Sequence, residues 1–310
     1  MIESDGDSYH AAKYEKGTYL APGKVGKTFF LVASALGLLP NQRKNGSGGI
    51  MGSPSKLHVI AIDSSAMTDV VDFLIRILGA PPEVAKLNIY NMQDDVNRLA
   101  ASDNDYDLGF YNSYLLTLKK VQDKIAASDG THAVIVSSLT GLAAAIERGV
   151  AGPPGAAGVR GKDGEISGKG YMDMSKWKVH AQQLSHIRMK TQVDDYHCLW
   201  EGHIDVVKKL SQNKDDETAT ETIAISGQSG RNWPYNTDHT FRMRREFGNT
   251  WDGTECDKVH LCKPDMDFTA GGRGYTGRLR DKEYDLTKVY KTLGLKVGGW
   301  GAKKEKKKNG

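Results

Sequence analysis

Residues 21 to 28, Ala-Pro-Gly-Lys-Val-Gly-Lys-Thr, constrain this chain more than any other stretch. Before them, Gly-Thr-Tyr-Leu-Ala at 17 to 21 reads as a short strand; after them, 27 to 39 reads as an apolar-rich helix that stops before Pro40. A glycine-bearing loop between strand and helix, closed by Gly-Lys-Thr, makes a cradle for phosphate. Gly23 and Gly26 permit backbone angles closed to other residues, so successive N–H groups can turn inward while the helix N-terminus favours negative charge. Pro22, Gly23, Lys24, Val25, Gly26, Lys27, Thr28 and Phe29 are the expected binding residues, with ATP and Mg²⁺ as ligands. Lys27 would reach the β- and γ-phosphates and Thr28 would ligate Mg²⁺. Ala21 stands where such loops usually open with glycine.

Further along, Asn41 to Lys56 reads as a Gly/Ser-rich polar connection, and Leu-His-Val-Ile-Ala-Ile-Asp at 57 to 63 as a strand buried on both faces. Helical periodicity marks 68 to 78, 111 to 127 and 174 to 190; apolar runs mark strands at 87 to 90, 132 to 137 and 196 to 201. Segments 220 to 226 and 240 to 244 are weaker strand candidates, with a last helix over 284 to 293. The alternation predicts an α/β fold, a mostly parallel wound sheet with helices on both faces.

At 310 residues the chain suits one large domain with excursions. The expected divisions are an N-terminal extension at 1–16, a nucleotide-binding domain at 17–295 with a glycine-rich insertion at 149–173, and a basic disordered tail at 296–310. The composition, 39% hydrophobic and 26% charged, is that of a soluble protein. With no apolar run near membrane-spanning length and an acidic N-terminus unlike a signal peptide, a cytoplasmic location is expected and a membrane partner is not. Three cysteines exclude a disulfide framework; Cys256, His260 and Cys262 lie close in sequence, but a tetrahedral zinc would need a fourth ligand. The net charge of +4 does not by itself argue for nucleic acid.

From residue 17 to about residue 292 the order of segments resembles RecA-like P-loop ATPases, especially small phage members acting beside single-strand annealing and recombination proteins. The likeness rests on Ala-Ile-Asp-Ser-Ser at 61 to 65, Val-Ile-Val-Ser-Ser-Leu-Thr at 134 to 140, Trp177 opening a helix, Glu-Gly-His at 201 to 203, and Gly271-Gly272-Arg273 with Arg278. The resemblance implies an ATPase assisting DNA recombination or replication, as a homo-oligomer with nucleotide sites between subunits, in the host cytoplasm if phage-encoded. It also implies a recombination or annealing partner protein.

Such enzymes commonly carry Asp at the position of Ser137 and an activating Glu near Ser65, and both carboxylates are missing here. General-base catalysis is worth about 10² to 10⁴ in rate, so their loss would slow hydrolysis. Asp63 remains a candidate for Mg²⁺ or water contact, or a solvated strand end; Ser137 is a further metal candidate. Glu201 and His203 are candidates to sense the γ-phosphate or replace the missing base. Arg273 and Arg278 could enter a neighbour's site, meet DNA phosphate, or be plain surface charge.

By the same resemblance, two loops at 149 to 173 and 205 to 222 correspond to single-stranded DNA contacts, the first with Arg160, Lys162 and Lys169, the second with Lys208, Lys209 and Lys214. Gly152, Gly155, Gly158, Gly161 and Gly164 recur with a collagen-like period, too briefly to expect an unaided triple helix. A second reading is a catalytically reduced protein that uses ATP to oligomerise. A small-molecule kinase, the third, lacks a compact set of lid arginines.

Overall fold

The computed structural model describes residues 14–21, 27–62, 67–76, 78–104, 106–152, 172–192, 195–210, 217–225, 233, 237–244, 263–270, 276–279 and 285–303. Its centre is a parallel sheet built from β1 (Lys16–Ala21), β2 (Leu57–Ala61), β3 (Asn88–Asn91), β4 (Ala133–Ser137), β5 (His197–Leu210) and β7 (His239–Arg244). They lie side by side in the order β3-β2-β4-β5-β1-β7, all parallel. Three strands extend it antiparallel: β6 (Glu217–Ile223) on β5, and β8 (Lys263–Ala270) then β9 (Thr276–Leu279) beyond β7.

Strand alternation sends side chains to two layers. Tyr19, Ala21, Val59, Ile135 and Leu199 face a layer containing α1 (Lys27–Ala35), α3 (Met67–Arg76) and α8 (Leu286–Thr292). Leu20, Ile60, Val134, Val136, Cys198 and Trp200 face the other, built from α4 (Gln93–Ala100), α5 (Gly109–Ala126), α6 (Leu139–Ala151) and α7 (Met174–Gln192). Helices thus cover both faces, as the sequence pattern predicts. In α5 the buried set Phe110, Tyr114, Leu118 and Val121 recurs every three or four residues, the stripe a helix needs against a sheet. Each such large side chain contributes about 1.5–3 kcal/mol by leaving water.

The structure departs from the sequence reading where short-range chemistry intervened. The helix expected over 27–39 ends at Ala35, because Gly37 takes a left-handed φ of 69° and packs against the backbone of Gly48 and Gly49. Pro40 does not end a helix but opens a new one, α2 (Pro40–Asn45), where its fixed φ suits the first turn. The connection after it is not a solvated loop. Ser47 to Met51 are buried, and Ile50 N–H donates to Ala35 O at 2.9 Å.

The end of the chain explains that burial. Asp285 caps α8 through Lys288 N–H at 3.1 Å and accepts from Ser47 Oγ at 2.5 Å and Asn45 Nδ2 at 3.1 Å. Residues 298–303 then run along the 46–52 turn: Gly298 N–H donates to Ile50 O, Gly49 N–H to Trp300 O, and Lys303 N–H to Gly46 O, at 2.8, 2.8 and 3.1 Å. This strap occupies part of the segment expected to be tail; 304–310 lie outside the described residues.

A buried polar network sits at the amino-terminal edge of the sheet. His197 Nδ1 accepts from Glu15 N–H at 2.9 Å and its Nε2 lies 2.7 Å from Lys296 O, which fixes a neutral imidazole. Burial pushes the His197 pKa down to about 3. Glu15, itself buried, lies 2.8 Å from His239 Nδ1; burial raises its pKa while His239 opposes the rise.

Candidate nucleotide site at the carboxyl edge of the sheet

Strand β1 delivers the chain to the carboxyl edge at Ala21, and α1 departs from it at Lys27. Pro22, Gly23, Lys24, Val25 and Gly26 lie outside the described residues, so the loop enters the site through its flanks, Ala21 and the first turn of α1. Lys27 is 4% exposed and Thr28 half-buried. The Phe29 side chain packs edge-on against Phe73, ring centroids 4.7 Å apart, which makes it a core residue whose backbone alone sits at the helix start.

Opposite Thr28, two neighbouring strands supply the remaining groups. Ser137 closes β4 and pairs in register with Glu201 of β5, which pairs in turn with Tyr19 of β1. By alternation Ser137 and Glu201 share the α1 face with Ile135 and Leu199. Thr28 Oγ1 donates to Glu201 Oε2 at 2.7 Å and lies 3.1 Å from Ser137 Oγ. Glu201 is 4% exposed and Ser137 2%. Two hydroxyls and a carboxylate therefore meet at the first turn of a helix where the parallel strands end, the side of such sheets where ligands gather.

These oxygens are hard donors with one formal negative charge, a set that fits Mg²⁺ rather than a soft metal. The buried Lys27 ammonium and the α1 amino terminus complement a phosphate chain. Thr28, Ser137 and Glu201 would hold the metal and Lys27 the phosphates. Among the described residues no group of three or more His, Cys, Asp or Glu gathers as a metal cluster, and 251–262, with Cys256, His260 and Cys262, lie outside them.

The other expected site residues are Asp63, His203, Arg273 and Arg278. Asp63 and Ser65 lie outside the described residues; β2 stops at Ala61, and Ile62 N–H donates to Ser137 O at 2.6 Å. His203 stands opposite Ala21 in register, and its N–H donates to Thr140 Oγ1 at 2.9 Å. Arg273 is outside the described residues, and Arg278 is on β9, three strands from β1 and roughly 14 Å across the ladder.

Two groups were missed. Thr140, the last residue of the 134 to 140 match, sits in the first turn of α6 and ties β5 to that helix beside the site, a contact with His203 that the match does not encode. Ser138 caps α6 by accepting from Gly141 N–H at 3.0 Å, and with Ala143-Ala144-Ala145 it is a signal in sequence that a helix and not a glycine-rich excursion follows β4. The second expected loop, 205 to 222, is largely a hairpin: β5 continues to Leu210 and pairs back on β6 from Ile204↔Ile223 to Leu210↔Glu217. Of the first, residues 149–151 belong to α6 and 153–171 lie outside the described residues.

No protein-family model and no curated protein matches the sequence. A solved structure described as a prototypical ATPase from the type III secretion system of pathogenic bacteria is similar to 74% of this chain and 52% of its own, at 13% identity and a TM-score of 0.38. The chain thus spans about half the length of that neighbour. No helix among the described residues is long and apolar enough to cross a membrane.

Proposed function

We propose that this chain is a P-loop ATPase that binds ATP with Mg²⁺ at the carboxyl edge of its sheet. One observation carries the reading: the Thr28 hydroxyl, in the helix after the phosphate loop, reaches the buried Glu201 carboxylate at 2.7 Å beside Ser137. The sequence lacks Asp at 137, but the neighbouring strand brings a carboxylate to the same place.

In this reading Lys27 neutralises the β- and γ-phosphates, Thr28 and Ser137 supply neutral oxygens, and Glu201 supplies the negative charge. Water attacks the γ-phosphorus, the bond to the β,γ-bridging oxygen breaks, and ADP and phosphate leave; Glu201 orients that water and takes its proton. Bound Mg²⁺ supplies charge neutralisation of the triphosphate.

The finer reading, support of DNA recombination or replication by a homo-oligomer that engages single-stranded DNA, rests on the order of segments shared with RecA-like ATPases. A second reading keeps ATP as an assembly ligand without turnover, favoured by the Ser137 hydroxyl where hydrolytic relatives carry a carboxylate. Phosphate release measured with and without single-stranded DNA, in wild type and Lys27→Ala, separates them. Turnover that rises with DNA and vanishes in the variant is expected; ATP-dependent oligomers without phosphate release would establish the second reading. Absence of ATP binding would remove both.

A further inference from the structure

At the other end of α1, away from the nucleotide site, the chain gathers positive charge. Helix α1 is nine residues long, so Ala35 lies roughly 12 Å from Lys27. There the 46–52 turn, α2, α8 and the terminal strap form one hydrogen-bonded unit. Asp285 joins α8 to Asn45 and Ser47; Thr287 Oγ1 donates to Gly48 O at 2.6 Å and lies 3.2 Å from Gln42 Nε2. Lys303 lies along Gly46, with its N–H on Gly46 O.

The two segments that make this unit, 36–56 and 285–303, carry seven basic residues, Arg43, Lys44, Lys56, Lys288, Lys291, Lys296 and Lys303, and one acidic residue, Asp285. They are net +6 where the whole chain is +4, which leaves −2 for the rest. Asp285 is fully buried and bound to its neighbours, so its carboxylate offers nothing to the surface. Arg43, Lys44, Lys288, Lys291, Lys296 and Lys303 are exposed. None of the exposed large hydrophobic residues, Ile89, Tyr106, Leu116, Met174 and Met189, lies on these segments.

We propose that this surface, centred on Lys44, Lys288, Lys291 and Lys303, docks the phosphate backbone of a nucleic acid. Lysines on flexible stems, on two segments whose single carboxylate is the buried Asp285, match a regular polyanion, and they read charge without sequence. An interfacial membrane site would add exposed apolar side chains to insert below the headgroups, whereas here Leu293, Val297 and Trp300 are partly buried against the core. The face lies at the opposite edge of the sheet from Thr28 and Glu201. Binding there is independent of the nucleotide reading and needs no ATP.

The test is fluorescence anisotropy of a labelled oligothymidylate of about thirty nucleotides, titrated with full-length protein at several salt concentrations without nucleotide. The variant is Lys44→Gln/Lys288→Gln/Lys291→Gln; the control, Lys119→Gln/Lys120→Gln/Lys178→Gln, removes the same charge from exposed positions on α5 and α7. Thermal denaturation verifies that both remain folded. The surface variant should bind at least about tenfold more weakly, with a plot of log K against log salt shallower by about 2, since each lost single-strand phosphate contact removes about 0.7. The control should keep wild-type affinity and slope. Equal loss in both variants would reduce the effect to net charge and overturn the proposal. So would unchanged affinity in the surface variant, or binding to phosphatidylserine vesicles without binding to the oligonucleotide.

Discussion

Replacing Glu201 by Gln isolates the charge at the proposed site from its shape. The amide keeps an oxygen that can accept from Thr28, so the contact at 2.7 Å changes class and is not deleted. A hydrogen bond to a charged group is worth about 1.5–3 kcal/mol and a neutral one about 0.5–1.5. The carboxylate is 4% exposed, so neutralising it also returns part of its desolvation cost, with opposite sign. The net change in stability should fall within about 1.5 kcal/mol, or at most about 5 °C in Tm for a chain of this size. Turnover should nevertheless fall by about 10² to 10⁴, the worth of a positioned base. ATP binding in the absence of Mg²⁺ should be no weaker than in wild type, because a negative charge beside a polyanion has been removed. Phosphate release, thermal denaturation and an ATP titration in chelator read the three quantities separately. Undiminished turnover at unchanged Tm would refute the assignment of Glu201; a collapse of Tm with loss of every activity would make it a structural residue.

Three further perturbations probe the scaffold. His58 and His197 are both held at about 3 by burial, while an unfolded imidazole titrates near 6.5. The unfolded chain therefore binds the extra protons, and stability should fall as pH drops through 6.5, by about 3 kcal/mol from pH 6.5 to 5 for the two together. Urea denaturation at those two pH values checks this, and equal stability would contradict it. Gly298→Ala places a methyl into the backbone of Met51 and Gly52 and should cost about 3 kcal/mol or more by opening the strap. Gly294→Ala meets nothing within 4 Å and should cost only about 1 kcal/mol for its φ of 72°; equal costs would show that the strap does not pack as described. Asp285→Ala loses the α8 cap and its bonds to Ser47 and Asn45 and should cost about 2–4 kcal/mol in the same denaturation assay, a loss that a surface cap alone would not produce.

The central sheet was legible because parallel strands buried on both faces write themselves as continuous apolar runs. Leu57 to Ala61 and Ala133 to Ser137 fall within a residue or two of their expected positions. Thr28 was legible through motif spacing, and Glu201 through its place after a buried run. What no local pattern encodes is that Ser137 and Glu201 become partners: they are 64 positions apart, and β5 reaches β4 only because two helices, α6 and α7, separate them in the chain. Helix α6 was hidden by glycine-rich sequence after it, whereas helical periodicity at 174 to 190 marked α7 despite its polar composition. The strap was misjudged for the same reason. Gly298, Gly299 and Gly301 look like a flexible tail, yet a Cβ on Gly298 would run into the backbone of Met51 and Gly52, and Gly299 and Gly301 take left-handed φ of 69° and 75°.

The most direct measurement is a calorimetric titration of ATP into wild type and Thr28→Val, each with Mg²⁺ and with chelator. Valine keeps the volume of threonine and removes the hydroxyl that reaches Glu201 and Ser137. Wild type should bind ATP at least about tenfold more tightly with Mg²⁺ than without, a difference of about 1.4 kcal/mol, and Thr28→Val should bind with no dependence on the metal. ATP binding that ignores Mg²⁺ in wild type, or keeps its full metal dependence in Thr28→Val, would contradict the site described here.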